Sequence, residues 1–115
     1  MLKLFPKVAA LFVLSASFLF VPVANAKPKK GGQVSGRASY HQHTSSMVTA
    51  ARVPRGSKLW VWRAGKAESS GFAVTVNDAG PYTRGRVLDL STGAFKRLFG
   101  SLNSGHGAVH YRVMR

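Results

Sequence analysis

The run Val76-Asn77-Asp78-Ala79-Gly80-Pro81-Tyr82-Thr83-Arg84-Gly85-Arg86-Val87-Leu88-Asp89-Leu90-Ser91 carries the most structural information in this chain. Immediately before it, Phe72-Ala73-Val74-Thr75-Val76 alternates with period 2. That pattern predicts a strand with Phe72, Val74 and Val76 facing inward. Asn77 to Pro81 concentrates turn-forming residues. Val87 and Leu88 then make a short apolar step before Asp89. Ser91 is a natural helix cap, and Phe95, Leu98 and Phe99 follow at i, i+3 and i+4 on one helical face. Gly100 suits the helix stop, and Lys96 and Arg97 place cations in its last turns.

Working outward, strands dominate. Leu59-Trp60-Val61-Trp62 is rich in β-branched and aromatic side chains, with Leu59 and Val61 on one face and both tryptophans on the other. Ala64-Gly65-Lys66 reads as a turn. Residues Gly36 to His43 predict a first strand, which would place His41 and His43 on one strand face. Met47 to Val53 predicts a second, ended by Pro54 and Gly56. Val109, Tyr111 and Val113 alternate in a last one. Short strands separated by turns favour a closed barrel or a small sandwich, mainly β.

The N-terminus reads differently. Lys3 and Lys7 precede an apolar run from Val8 to Val23, and Ala24-Asn25-Ala26 closes it. A charged start, an apolar centre and a small-x-small end describe a secretory signal peptide over residues 1–26. An apolar stretch shorter than the ~20 residues of a spanning helix argues against an uncleaved anchor. Residues 27–35 begin Lys27-Pro28-Lys29-Lys30-Gly31-Gly32 and are expected to form a flexible basic linker. The folded domain is expected over 36–115.

Composition narrows the chemistry. The chain has 115 residues, with 17 Lys and Arg against 3 Asp and Glu, and a net charge of +14. So few acids disfavour a carboxylate metal cage. The absence of cysteine excludes disulfides, thiolate zinc sites, cysteine nucleophiles and thiol-anchored lipids. His41 with His43, and His106 with His110, lack acids to support them, so no metal and no other cofactor is expected. The positive charge would permit a nucleic-acid surface. Export argues instead for an anionic envelope polymer reached by the same attraction.

Each acid can be weighed singly. Glu68 lies in the polar stretch Gly65 to Ser70 and reads as a solvated loop charge. Asp78 in its turn motif reads first as a residue bonding its own backbone. Asp89 has two readings. Held among Val87, Leu88 and Leu90, its carboxyl would lose hydration, which favours the protonated form a general acid needs. Alternatively it accepts backbone N–H bonds at the helix start.

Val76-Asn77-Asp78-Ala79-Gly80-Pro81-Tyr82 followed by Gly85-Arg86-Val87-Leu88-Asp89-Leu90-Ser91 resembles the signature of the RlpA-like (rare lipoprotein A) family, roughly V-N-D-R-G-P-F then G-R-I-I-D-L-S and a helix. Gly36-Arg37-Ala38-Ser39-Tyr40 resembles its opening G-x-A-S-Y-Y. Thr49-Ala50-Ala51 and Pro54-Arg55-Gly56-Ser57 resemble its T-A-A-H and P-x-G-T. The resemblance spans about Gly36 to Val113. It implies a six-stranded double-psi β-barrel with one or two short helices, a fold shared with expansins. It implies a peptidoglycan lytic transglycosylase, a lyase that cleaves MurNAc–GlcNAc linkages to leave a 1,6-anhydro end. It further implies catalytic roles for Asp89 and Asp78 and substrate binding by Asn77, Tyr82, Arg84, Arg86 and Thr49. The implied partner is a peptidoglycan glycan strand. No nucleic acid, no stable membrane anchor after cleavage and a monomer in the periplasm or extracellular envelope are expected.

The chain departs from the family pattern at three places. His41-Gln42-His43-Thr44-Ser45-Ser46 stands where the family has about T-A-S-G-E. The histidine of T-A-A-H is replaced by Arg52, or by Ala50 when counted back from Pro54. The arginine of N-D-R-G-P is Ala79. A second reading therefore stands beside the first: a non-catalytic glycan-binding or expansin-like wall-loosening module.

Overall fold

The structure is a computed structural model that describes residues 31–114; the leader read at 1–26 and residues 27–30 of the linker lie outside it. Among the described residues six strands are present: β1 (Val34–Tyr40), β2 (Val48–Ala51), β3 (Lys58–Arg63), β4 (Phe72–Ala79), β5 (Arg86–Leu90) and β6 (His106–Val113). One helix, α1 (Thr92–Phe99), lies between β5 and β6, and a single 3-10 turn covers Glu68–Ser70. The strands close into a barrel in the order β1-β5-β2-β4-β3-β6. Closure leaves none of the six with an unpaired edge.

The barrel interior is filled by alternate residues, as period 2 requires. Leu59, Val61, Val74, Val76, Leu88, Leu90 and Val109 are almost fully buried there. Phe72, Val74 and Val76 point inward as their alternation predicts. Trp60 and Trp62 take the opposite face of β3 from Leu59 and Val61. Trp62 is nonetheless covered, by the His110 ring at 5.4 Å and the Arg112 guanidinium at 5.8 Å. Trp60 donates its Nε1–H to the Glu68 carbonyl at 2.8 Å.

Two pairs of strands run parallel, β1 with β5 and β2 with β4, and each skips one residue. Arg37 pairs with Arg86 but Ala38 with Leu88, so Val87 is the extra residue. Thr49 pairs with Val76 but Ala50 with Asp78, so Asn77 is the extra residue. A bulge of this kind bends the strand and re-aims the side chains beyond it. The first bulge needs a glycine opposite it: a Cβ at Gly36 would lie 2.5 Å from Cγ1 of Val87.

α1 packs against one end of the barrel. Phe95 is fully buried, with Tyr40 at 5.0 Å and Phe99 at 4.6 Å between ring centroids. Ser91 caps the helix by accepting from Ala94 N–H at 3.2 Å. Gly100 ends it in the left-handed conformation at φ 83°, where a side chain would be strained.

Four expectations are corrected. β1 starts at Val34, not Gly36, because Val34 pairs with Tyr111 across β6. β1 also stops at Tyr40, so His41 and His43 sit exposed in a loop, not on a strand face. The strand expected over Met47 to Val53 is only Val48–Ala51. The turn expected from Asn77 begins only at Gly80, because Asp78 and Ala79 gain a parallel partner in Ala50 and Ala51. Tertiary pairing here outweighs local turn propensity.

Candidate active site

Strand register places both candidate acids in one row. Ala50 pairs with Asp78 on one side and with Asp89 on the other. The same row continues through Ser39, the partner of Asp89, to His106, the partner of Ser39. The neighbouring row, Leu90-Thr49-Val76, is fully buried and faces the barrel interior. Alternation therefore turns Asp89, Ala50 and Asp78 to the outside. Without the extra residue at Asn77, Asn77 itself would occupy the row in place of Asp78. The bulge is thus what brings the two carboxylates to the same face.

Two strand spacings separate Asp78 from Asp89, about 10 Å between their backbones. Ala50 lies between them in the row and is itself buried, at 6% exposure. Asp89 is half-buried and accepts a hydrogen bond from Ser39 Oγ at 3.1 Å. Its chain neighbours Leu88 and Leu90 point into the core. Asp89 is therefore not enclosed among them, which corrects the sequence reading. The helix-end alternative is also replaced, since Ser91 performs the capping. Asp78 is exposed; its Oδ1 accepts from the Ala79 N–H at 2.8 Å and from Arg55 at 3.3 Å. Both side chains of that ion pair are more than half exposed, so solvent screens it strongly.

The remaining expected binders divide. Asn77 is held by Gln42 through two hydrogen bonds, at 2.9 and 2.8 Å, which fixes the bulged residue from the β1–β2 loop. Tyr82 is 76% exposed in the β4–β5 loop, free to offer its ring face. Arg84 is exposed in the same loop, and Arg86, half-buried, is the first residue of β5. Thr49 is corrected: it is fully buried in the inward row, with Oγ1 bonded to the Ala50 carbonyl at 2.9 Å.

Other residues take part in the hydrogen bonding in and around the row. Ser39 was visible only as part of a weak motif, yet it is the donor to Asp89. Gln42 had no signal at all. His106 accepts at Nδ1 from Arg37 Nε at 2.9 Å, which leaves Nε2 as the protonated nitrogen when the ring is neutral. Arg52 reaches the Arg86 carbonyl at 3.2 Å, tying β2 to the start of β5.

The substituted β1–β2 loop has a structural task. Thr92 N–H donates to the Gln42 carbonyl and Gly93 N–H to the Thr44 carbonyl. Ser91 Oγ donates to the Ser46 carbonyl at 2.6 Å. The loop thereby satisfies the first free N–H groups of α1. Glu68 likewise departs from the solvated charge expected: Arg112 Nε donates to its carboxylate at 2.9 Å. Among the described residues, no group of three or more His, Asp or Glu side chains is arranged to hold a metal ion.

The Lytic transglycolase family matches residues 30–111, most of the chain. The chain belongs to that family. A Nostoc protein named "Probable endolytic peptidoglycan transglycosylase RlpA" is 37% identical over 89 residues, covering 74% of this chain and 23% of its own length. A Synechocystis protein of the same name is 37% identical over 107 residues, covering 84% of this chain and 32% of its own length. The chain therefore spans a third or less of these relatives. Among solved structures, a Clavibacter michiganensis expansin in complex with cellohexaose has a TM-score of 0.58 at 22% identity, over 73% of this chain and 51% of that one. A Streptomyces papain inhibitor has a TM-score of 0.55 at 20% identity, over 77% of this chain and all of that one. Both likenesses concern the fold. For a lytic transglycolase, the double-psi β-barrel expected from the motif is the architecture observed.

Proposed function

We propose that this chain is a peptidoglycan lytic transglycosylase of the cell envelope, cleaving MurNAc–GlcNAc linkages in glycan strands. The observation that carries the reading is the outward row Asp89-Ala50-Asp78, built by strand register and one bulge. Membership of the lytic transglycolase family and the names of the relatives support the substrate. At the two ends of the row Asp78 is exposed and Asp89 half-buried, and Tyr82, Arg84 and Arg86 of the β4–β5 connection offer a stacking face and positive charge.

Asp89, protonated, gives its proton to the bridging oxygen as the bond from C1 of the muramyl sugar to that oxygen breaks. The leaving sugar departs with a hydroxyl. The 6-hydroxyl oxygen of the muramyl sugar then bonds to C1, and its proton passes to the Asp89 carboxylate. The acid is restored, no water is consumed, and a 1,6-anhydro end results. One side chain thus serves as acid and then base, so the second, water-activating carboxylate of an inverting glycosidase is unnecessary. Ser39 orients Asp89. Asp78 faces the same site, where its negative charge favours the positive charge that develops at C1. Secretion through the N-terminal leader, action as a monomer and independence from nucleic acid and metal belong to the same proposal.

Mass spectrometry of sacculi, and of glycan strands stripped of peptides, after incubation with the protein tests it. Anhydro-muramyl products are expected. Co-sedimentation with sacculi without any such product would leave only the wall-binding function.

A further inference from the structure

We propose a second ligand site on this barrel, a pocket for a phosphate monoester carried on a sugar-sized body. The cavity lies between the β3–β4 hairpin and α1, has a volume of about 300 Å³, and is lined by Arg63, Lys66, Ser70, Phe72, Arg97 and Leu98. Three cations and no carboxylate face one small space. Phe72 and Asp78 lie at opposite ends of β4, six residues or about 20 Å apart. The site shares no residue with the acid row and goes beyond the transglycosylase reading.

The two guanidinium groups are held by their faces. Arg97 lies over the Phe72 ring at 4.3 Å from its centroid, and Arg63 over the Phe99 ring at 5.2 Å. Stacking of this kind fixes a guanidinium while leaving its N–H edges available. Ser70 donates its hydroxyl to the Ala67 carbonyl at 2.6 Å, so the donors for an anion are the three cations. The carboxylate nearest in the chain, Glu68, is engaged by Arg112. Three like charges around one cavity repel each other, and a dianion relieves that repulsion better than a single charge. Phosphate also matches the forked donors of arginine. The volume exceeds what a lone oxyanion needs and sits at the small end of ligand pockets. Leu98, half-buried, supplies apolar surface for the attached body.

Titration of the protein with glucose 6-phosphate, inorganic phosphate and acetate, followed by amide NMR, tests the site. Saturable shifts are expected at residues 63–72 and at Arg97 and Leu98, tightest for glucose 6-phosphate and weakest for acetate. Arg97→Gln and Arg63→Gln are each expected to weaken glucose 6-phosphate binding about tenfold. Lys96→Gln removes a charge from the same helix outside the cavity and is expected to change it by about twofold or less. Each variant's own spectrum reports its fold; Lys66→Gln, in the exposed hairpin, carries the same expectation should an arginine variant fail to fold. Shifts that do not saturate, acetate binding as well as phosphate, or Lys96→Gln weakening binding as much as Arg97→Gln would overturn the site. No glycan strand enters this assay, so its outcome is separate from the test of cleavage.

Discussion

Replacing Asp89 by Asn removes the proposed proton carrier and little else. The amide oxygen can still accept from Ser39 Oγ, now at 3.1 Å, so the side chain keeps its place. Asp89 is half-buried, and Leu88 and Leu90 beside it bury their side chains independently. The cost in stability is therefore limited to the charge-assisted part of one hydrogen bond, about 1 kcal/mol or less. The rate should respond very differently. General acid–base catalysis contributes about 10²–10⁴-fold, and here one group serves both proton transfers. A loss of about 10³–10⁴ follows, or about 4–5.5 kcal/mol in the barrier. The assay is the initial rate of anhydro-muramyl product release, with a urea unfolding curve on the same sample. Ser39→Ala keeps the carboxylate but removes its donor, and about a tenfold loss is expected. An Asp89→Asn protein cleaving at the parent rate would refute the assignment of Asp89.

Three further outcomes concern the scaffold. Gly36→Ala drives a methyl to 2.5 Å from Val87 Cγ1 and 3.1 Å from the Gly85 carbonyl oxygen; about 1–3 kcal/mol of stability should be lost, and an unchanged urea midpoint would contradict the tight β1–β5 approach. Ser91→Ala removes the acceptor for Ala94 N–H and the donor to the Ser46 carbonyl. It should cost about 2 kcal/mol and speed amide exchange in residues 41–46. Burial raises the ionisation of Tyr111 above its usual range, opposed in part by the Arg52 guanidinium. The folded state therefore favours neutral Tyr111: its contribution is complete below about pH 10 and is lost as pH rises through the folded value. Unfolding midpoints of the parent should fall more steeply in that alkaline range than those of Tyr111→Phe; parallel curves would contradict the claim.

Local features of this chain were legible because local physics sets them. The alternation at Phe72, Val74 and Val76 is a property of one strand. The Ser91 cap, the Phe95-Leu98-Phe99 stripe and the Gly100 stop lie within one helix. The motif around Asp78 and Asp89 pointed to the barrel and to its acids through resemblance. Thr49 was misplaced because a motif does not say which way a strand side chain points. Only pairing with Leu90 and Val76 turns it inward. Glu68 looked solvated because its partner Arg112 lies 44 residues away.

The amino-acid order alone determined the alternating cores of the strands, where the helix starts and stops, and that three acids stand among many cations. Each of those depends on neighbours within a few positions. Tertiary structure alone decided that Asn77 becomes the extra residue of a bulge, that Asp78 and Asp89 flank the same alanine, and that Arg63, Lys66 and Arg97 surround one cavity. Those relations depend on register between strands and on docking of the helix, where chain segments remote in sequence settle each other's positions through shared hydrogen bonds and burial.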